Sequence, residues 1–227
     1  MSAALDATTV SFSVSVLTAT RGNASKRLVP DAHGRPIKDP THSLSIAAGY
    51  IEHVELAGLT GFRDLLQRIT QQQALVHGIP KGSKPGDILV LTTTERYTGA
   101  PRTITRTLNH IDYPPGMRLI MCDYDPAPEA PETMASAGEL VARLTGIWPA
   151  FAAAGWLATT STSSAIRDTQ TGDWLKPPEG MHVYVLATGD VTRWRELAPV
   201  RLWLAGTGYT KFASPNRHTG VCNILER

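Results

Sequence analysis

Cysteine is scarce in this 227-residue chain: Cys122 and Cys222 are the only two. So few exclude a disulfide framework and a cysteine-rich zinc site. An excess of charge is missing too, with 22 Lys and Arg against 20 Asp and Glu for a net charge of +2. A balance this even neither demands nor forbids a polyanionic partner, so any basic surface has to be local. No stretch approaches the ~18 apolar residues of a membrane-spanning helix, and the first residues lack the basic and apolar regions of a secretory signal. The expectation is a protein of the cytoplasm with no membrane partner. Repeats and a clean linker are also missing, and the chain is long enough to bury a substantial core. It reads as one domain, 1–227, of two lobes, 1–115 and 116–227.

What the chain does have is strands interleaved with helices. Val10, Phe12, Val14 and Val16 alternate with polar residues and predict a half-buried strand over Thr9–Thr18. A second strand is expected around Ser43–Val54, after a long Gly- and Pro-containing loop or hairpin over 20–42. Leu59, Phe62, Leu65, Leu66 and Ile69 recur at helical spacing. Residues 77–87 read as a loop and Ile88–Thr94 as a β-branched strand. Over 96–109, Arg96, Arg102 and Arg106 with alternating Thr103, Thr105 and Thr107 predict an exposed strand with a basic face. Such a face suits a phosphate backbone, and it equally suits a sheet edge protected by charge. Ser136 and Glu139 match a capping box ahead of Leu140, Val141, Leu144 and Ile147. Trp156–Thr160 and Met181–Leu186 are expected strands, 168–180 a turn-rich excursion, and Tyr209–Phe212 a short strand. Asp190 is expected to cap a helix through Trp203.

The stretch around which the rest is organised is Leu119-Ile120-Met121-Cys122-Asp123-Tyr124-Asp125. An unbroken apolar run is the pattern of a strand buried on both faces. It ends in two acids spaced i and i+2, followed by Pro126, which cannot continue a central strand. Side chains at that spacing share a face, roughly 6–7 Å apart. Two carboxylates brought to ~4 Å repel by about 4 kcal/mol at an effective dielectric of ~20, and a cation offsets that. Hard oxygen ligands suit Mg²⁺ or Mn²⁺. The same residues also fit an Asp-rich turn after a core strand.

Downstream lie a Ser-rich turn, Ser161-Thr162-Ser163-Ser164, then Arg167 and Lys176, then His182 within Gly180-Met181-His182-Val183-Tyr184. Ser163, Ser164, Arg167, Lys176 and His182 are all donors that suit phosphate oxygens. In this order the pattern resembles the archaeo-eukaryotic primase superfamily, and within it the primase-polymerase domains of phage and mobile-element replication proteins. That family has an apolar strand ending in Asp-x-Asp, matched by Asp123-Tyr124-Asp125. It also has a strand with a small residue and then His, matched by Gly180-Met181-His182. The Ser/Thr-rich stretch Thr159–Ile166 and Arg201-Leu202-Trp203-Leu204-Ala205-Gly206 look like the phage subgroup, and Arg102–Leu108 extends the similarity more weakly.

The resemblance implies an α/β (α+β) fold: a central mixed, largely antiparallel sheet flanked by helices, with a β-rich N-terminal lobe. It implies template-directed nucleotidyl transfer on single-stranded DNA, from NTP or dNTP, with two Mg²⁺ or Mn²⁺ ions. Asp123 and Asp125 are the implied metal ligands, and His182 with Ser163, Ser164, Arg167 and Lys176 the triphosphate contacts. Arg102 and Arg106 are the implied DNA contacts. The family's third carboxylate corresponds either to Glu226 or to a residue beyond Arg227. A replicative helicase is the implied partner, on a separate chain or downstream, in a bacterial host cytoplasm. Two further readings remain at this stage. Asp-x-Asp also serves sugar-nucleotide glycosyltransferases with Mn²⁺. Basic residues among Tyr97, Tyr209 and Phe212 also suit a non-catalytic module that binds single-stranded DNA. Tyr124 and Tyr184 are both possible gates on the nucleotide sugar.

Overall fold

The computed structural model describes residues 10–22, 24, 28–39, 46, 48–113, 116–124, 136–161, 164–177, 180–188, 210–212 and 220–222. The protein is mixed α/β, rich in strands, with two α-helices among the described residues. It divides into two compact units, Asp6–Arg118 and one containing Leu119–Arg227.

In the first unit, the alternation at the start of the chain forms β1 (Ser11–Ala19). After the hairpin of β2 (Leu28–Pro30) and β3 (Pro36–Lys38) comes β4 (Gly49–Ala57), later than the strand expected around Ser43–Val54. β1 and β4 pair antiparallel from Ser11↔Ala57 to Ala19↔Gly49. α1 (Gly58–Arg68) follows, and its Phe62 ring meets Phe12 edge to face at 6.2 Å. β5 (Gln73–Val76), β6 (Ile79–Pro80), β7 (Ile88–Thr92), β8 (Thr103–Thr105) and β9 (Ile111–Asp112) complete the unit. The sheet order is β5-β1-β4-β7-β8, antiparallel except for the parallel β7–β8 pair. β6, inside the 77–87 segment expected to be loop, pairs with β9. Leu17, Ile51, Leu91, Ile104 and Ile111 form a core on one face of the sheet.

β10 (Met117–Tyr124), which belongs to the second unit from Leu119 on, is the strand that carries Asp123. α2 (Ala137–Ile147) begins where the capping box places it, with the Ser136 hydroxyl oxygen accepting from the Glu139 N–H at 3.2 Å. Next come β11 (Trp156–Thr160), β12 (Ile166–Arg167), β13 (Trp174–Lys176), β14 (Met181–Thr188), β15 (Thr210–Phe212) and β16 (Gly220–Cys222). The main sheet has the order β10-β14-β11, so the chain leaves β10, crosses by α2 to β11, and fills the gap with β14. That order is a split β-α-β unit. One face is apolar and helix-covered, with Cys122, Tyr124, Leu140, Leu144, Met181, Val183 and Val185 packed together. Because successive strand residues alternate faces, Asp123, His182, Tyr184 and Thr159 fall on the opposite face. β12 and β13 form a hairpin of their own, β12 just ahead of the excursion expected over 168–180 and β13 within it. The helix expected from Asp190 lies outside the described residues.

Candidate active site: the Asp123 and His182 face

β14 is the middle strand of its sheet, so what it presents has a neighbouring strand on each side. In the antiparallel ladder with β11, Thr159 stands opposite His182 and Leu157 opposite Tyr184. On the other side β10 supplies Asp123. His182 Nε2 lies 3.2 Å from Asp123 Oδ1, with both side chains more than four-fifths buried. The pair is within ion-pair distance but off the line of a hydrogen bond. Asp123 Oδ1 is therefore a buried oxygen with no hydrogen-bond partner among the described residues. A buried carboxylate oxygen left this way is costly unless another donor or a cation meets it.

Tyr184 adds a second link. Its hydroxyl lies 3.5 Å from His182 Nδ1, and the two rings meet edge to face at 85°. Burial pushes the Tyr184 phenol above the ordinary tyrosine range; a hydrogen bond with Thr159 acts in the opposite sense, and the Asp123 charge adds to the burial. Of the two possible gate tyrosines, Tyr184 is on the Asp123 side of the sheet. Tyr124 is packed in the helix-side core.

The Ser-rich turn is tied to the start of β14. Gly180 O accepts from the Ser161 N–H at 2.9 Å and from the Ser164 hydroxyl at 3.0 Å, and Ser164 also reaches Ser161 O at 3.2 Å. Both serines are buried. The one hydroxyl hydrogen of Ser164 is thus shared between backbone carbonyls, a use that holds the turn beside His182. Gly180 supplies the carbonyl that anchors it. Ala165 closes the turn with φ of 55°, a left-handed conformation that costs a residue with a Cβ about 1 kcal/mol. Ala165→Gly is expected to raise the stability of the chain by about that amount in urea unfolding. An unchanged or lower midpoint would mean that the turn carries no such strain.

Arg167 and Lys176 are on the β12–β13 hairpin. The Arg167 guanidinium stacks on the Trp174 ring at 3.9 Å, and both residues are exposed. Lys176 is half-buried and paired with Ile166. Asp125, Ser163 and Glu226 lie outside the described residues.

Arg102 and Arg106 belong to the first unit. Arg102 precedes β8 with φ of 56° and donates to Ile88 O at 2.8 Å, with Asp87 3.7 Å away. Arg106 reaches Ile46 O at 3.5 Å. The basic strand face expected over 96–109 is not what forms. Arg96 ends a short 3-10 turn, Thr94–Arg96, and the strand shrinks to Thr103–Thr105, with Ile104 and Thr105 buried. Thr105 instead belongs to a polar chain. Its hydroxyl lies 2.9 Å from His110 Nδ1, and His110 Nε2 lies 3.0 Å from the Tyr97 hydroxyl.

The sequence reading singles out Asp123 and His182 but gives Thr159 no part in the site. The signal for it is the ladder partner of His182, which needs the strand register.

Among the described residues no three His, Cys, Asp or Glu side chains come together, so Asp123 and His182 stand as a pair. No helix of the described residues is long and apolar enough to cross a membrane. No protein-family model, curated protein or solved structure matches the chain.

Proposed function

We propose that this chain is a DNA primase-polymerase domain: a nucleotidyltransferase that joins NTP or dNTP in template order on single-stranded DNA. The observation that carries the reading is Asp123 Oδ1, buried, unsatisfied and 3.2 Å from His182 Nε2 on neighbouring strands. A carboxylate on β10 beside an imidazole on the neighbouring β14 supports that reading. The donor set fits a hard divalent ion, Mg²⁺ or Mn²⁺, because the oxygen offered belongs to a buried carboxylate and makes no hydrogen bond.

In this reading Asp123 holds a divalent ion, with Asp125 and either Glu226 or a later carboxylate as further ligands. The chemistry that two such ions supply when bound is activation of the primer 3′-hydroxyl and neutralisation of the triphosphate. The hydroxyl oxygen forms a bond to the α-phosphorus, the bond to the bridging oxygen breaks, and pyrophosphate leaves. His182 contributes position and a hydrogen-bond donor: its Nε2 offers a hydrogen to the triphosphate beside Asp123. The largely buried setting strengthens that contact relative to water. The Ser161–Ser164 turn holds His182 in place through Gly180, with Ser163 and Lys176 as additional phosphate donors. Arg102 and Arg106 are assigned to DNA. The setting is phage, plasmid or mobile-element replication, beside a replicative helicase.

The test is incorporation of labelled nucleotide opposite a defined template. Turnover of a nucleotide-sugar without template would make the protein a glycosyltransferase. One observation favours a second reading, a non-catalytic DNA-binding module. Trp174, 45 % exposed and stacked on Arg167, is a platform on which bases stack. That reading predicts DNA binding without metal and unaffected by loss of Asp123.

A further inference from the structure

In the first unit one backbone group settles the direction of a whole run of hydrogen bonds. A backbone N–H can only donate, and the Thr105 N–H meets His110 Nδ1 at 3.3 Å. One ring nitrogen cannot both hold a hydrogen and accept one, so the neutral His110 ring carries its hydrogen on Nε2. The Thr105 hydroxyl, 2.9 Å from the same Nδ1, then donates to it as well, and the Thr105 oxygen accepts from the Thr107 hydroxyl at 2.9 Å. At the other end Nε2 lies 3.0 Å from the Tyr97 hydroxyl, whose oxygen is therefore the acceptor. The Tyr97 phenol is left with its own hydrogen to give, away from His110.

An exposed tyrosine ordinarily samples several orientations. Here the ring meets the imidazole edge on, with centroids 4.7 Å apart, while Nε2 holds the oxygen. The inner end is fixed too: Thr105 is buried in β8, and His110 O accepts from the Lys81 N–H at 2.8 Å. Tyr97 itself is 38 % exposed. Arg96, immediately before it, is also exposed, while the Glu95 carboxylate is engaged by the Thr94 hydroxyl at 3.1 Å. A donor aimed in advance beside a guanidinium suits a phosphate oxygen, because little freedom is lost when the oxygen arrives.

We propose that His110 is a positioning residue that aims the Tyr97 hydroxyl outward as a donor to a phosphate oxygen of single-stranded DNA, with Arg96 supplying charge. The order runs from Thr107 to Thr105, from Thr105 to His110 Nδ1, from Nε2 to Tyr97, and from Tyr97 to the phosphate. His110 touches no DNA in this role. The choice of DNA as ligand rests on the primase-polymerase reading, whereas the order of the hydrogen bonds does not.

Two measurements on the full chain separate these. Long-range ¹H–¹⁵N correlation of ¹⁵N-histidine is recorded at about pH 8, above the range in which imidazoles usually take up a proton. The His110 signals are those lost in His110→Ala, and the expected pattern is Nε2–H, unchanged in Tyr97→Phe because the Thr105 N–H sets it. Fluorescence anisotropy then follows binding of a labelled thymidine oligonucleotide in EDTA, which keeps metal out of the comparison. Tyr97→Phe is expected to weaken binding about tenfold, the effect of one hydrogen bond to a charged group. His110→Ala is expected to cost about as much, and the two together little more than either, because they remove the same contact. Arg96→Ala is expected to lower the slope of log affinity against log salt by about 0.7, and Tyr97→Phe to leave it alone. Backbone amide spectra report the fold of each variant. A ring protonated on Nδ1 overturns the proposal, and so does a folded Tyr97→Phe chain that binds as tightly as the native one. Template-ordered incorporation in that same chain would leave the primase reading standing without the proposal. Binding that depends on Tyr97 and His110 together, in a chain that incorporates nothing, upholds the proposal and defeats the primase reading.

Discussion

Asp123→Asn is expected to weaken Mn²⁺ binding by at least about a hundredfold, measured by titrating the chain with Mn²⁺ and following the free-ion paramagnetic resonance signal. The substitution keeps the shape of the side chain and removes its charge. Asp123 Oδ1 is buried without a hydrogen bond, so the native carboxylate carries an unmet demand for a positive partner. His182 Nε2 at 3.2 Å meets that demand only in part, because it lies off the hydrogen-bond line. Losing a partner of a metal ligand commonly costs ten- to a hundredfold in affinity. Losing the ligand itself should reach at least the upper figure. The fold should survive, since an amide is easier to bury than an uncompensated carboxylate. An Asn variant that binds Mn²⁺ as tightly as the native chain would remove Asp123 from the metal site.

Gly49→Ala is expected to destabilise the chain by about 3 kcal/mol or more in urea unfolding followed by circular dichroism. Gly49 opens β4 with φ of 150°, where side chains are rarely tolerated. A Cβ there would fall on the carbonyl oxygen of Thr18, well inside van der Waals contact. The obstacle is backbone, so no rotamer change relieves it. Gly49 pairs with Ala19 of β1 on one side and Leu91 of β7 on the other, so moving it disturbs both ladders. A loss below about 1 kcal/mol would mean that the sheet yields at this point.

The parts of the fold legible in the sequence are those whose period is long enough to declare itself. β1 shows its alternation over nine residues, and α2 carries both its cap and its apolar spacing. Asp123 was legible for the same reason: an apolar run that ends in acids places them at the end of a core strand. β12 and β13 were not, because two and three residues cannot display a period. The basic strand over 96–109 failed differently. Its Thr alternation is real, but Arg102 takes a left-handed turn and bonds Ile88 O, and Thr105 turns inward to His110. Local pattern yielded there to tertiary hydrogen bonds. The closeness of Asp123 and His182 depends on β14 inserting between β10 and β11, a matter of topology that spacing along the chain does not state. The spacing of His182 and Tyr184 puts them on one face, whereas Thr159 comes alongside only through the strand register.

The central claim is tested most directly by template-dependent nucleotide incorporation, primed and unprimed, with Mg²⁺ or Mn²⁺. The native chain is compared with a chain carrying Asp123→Ala and Asp125→Ala. The account predicts incorporation that follows the template in the native chain, requires the divalent ion, and vanishes in the double variant. Incorporation that persists in the double variant, or its absence from a well-folded native chain and from one extended past Arg227, would contradict it.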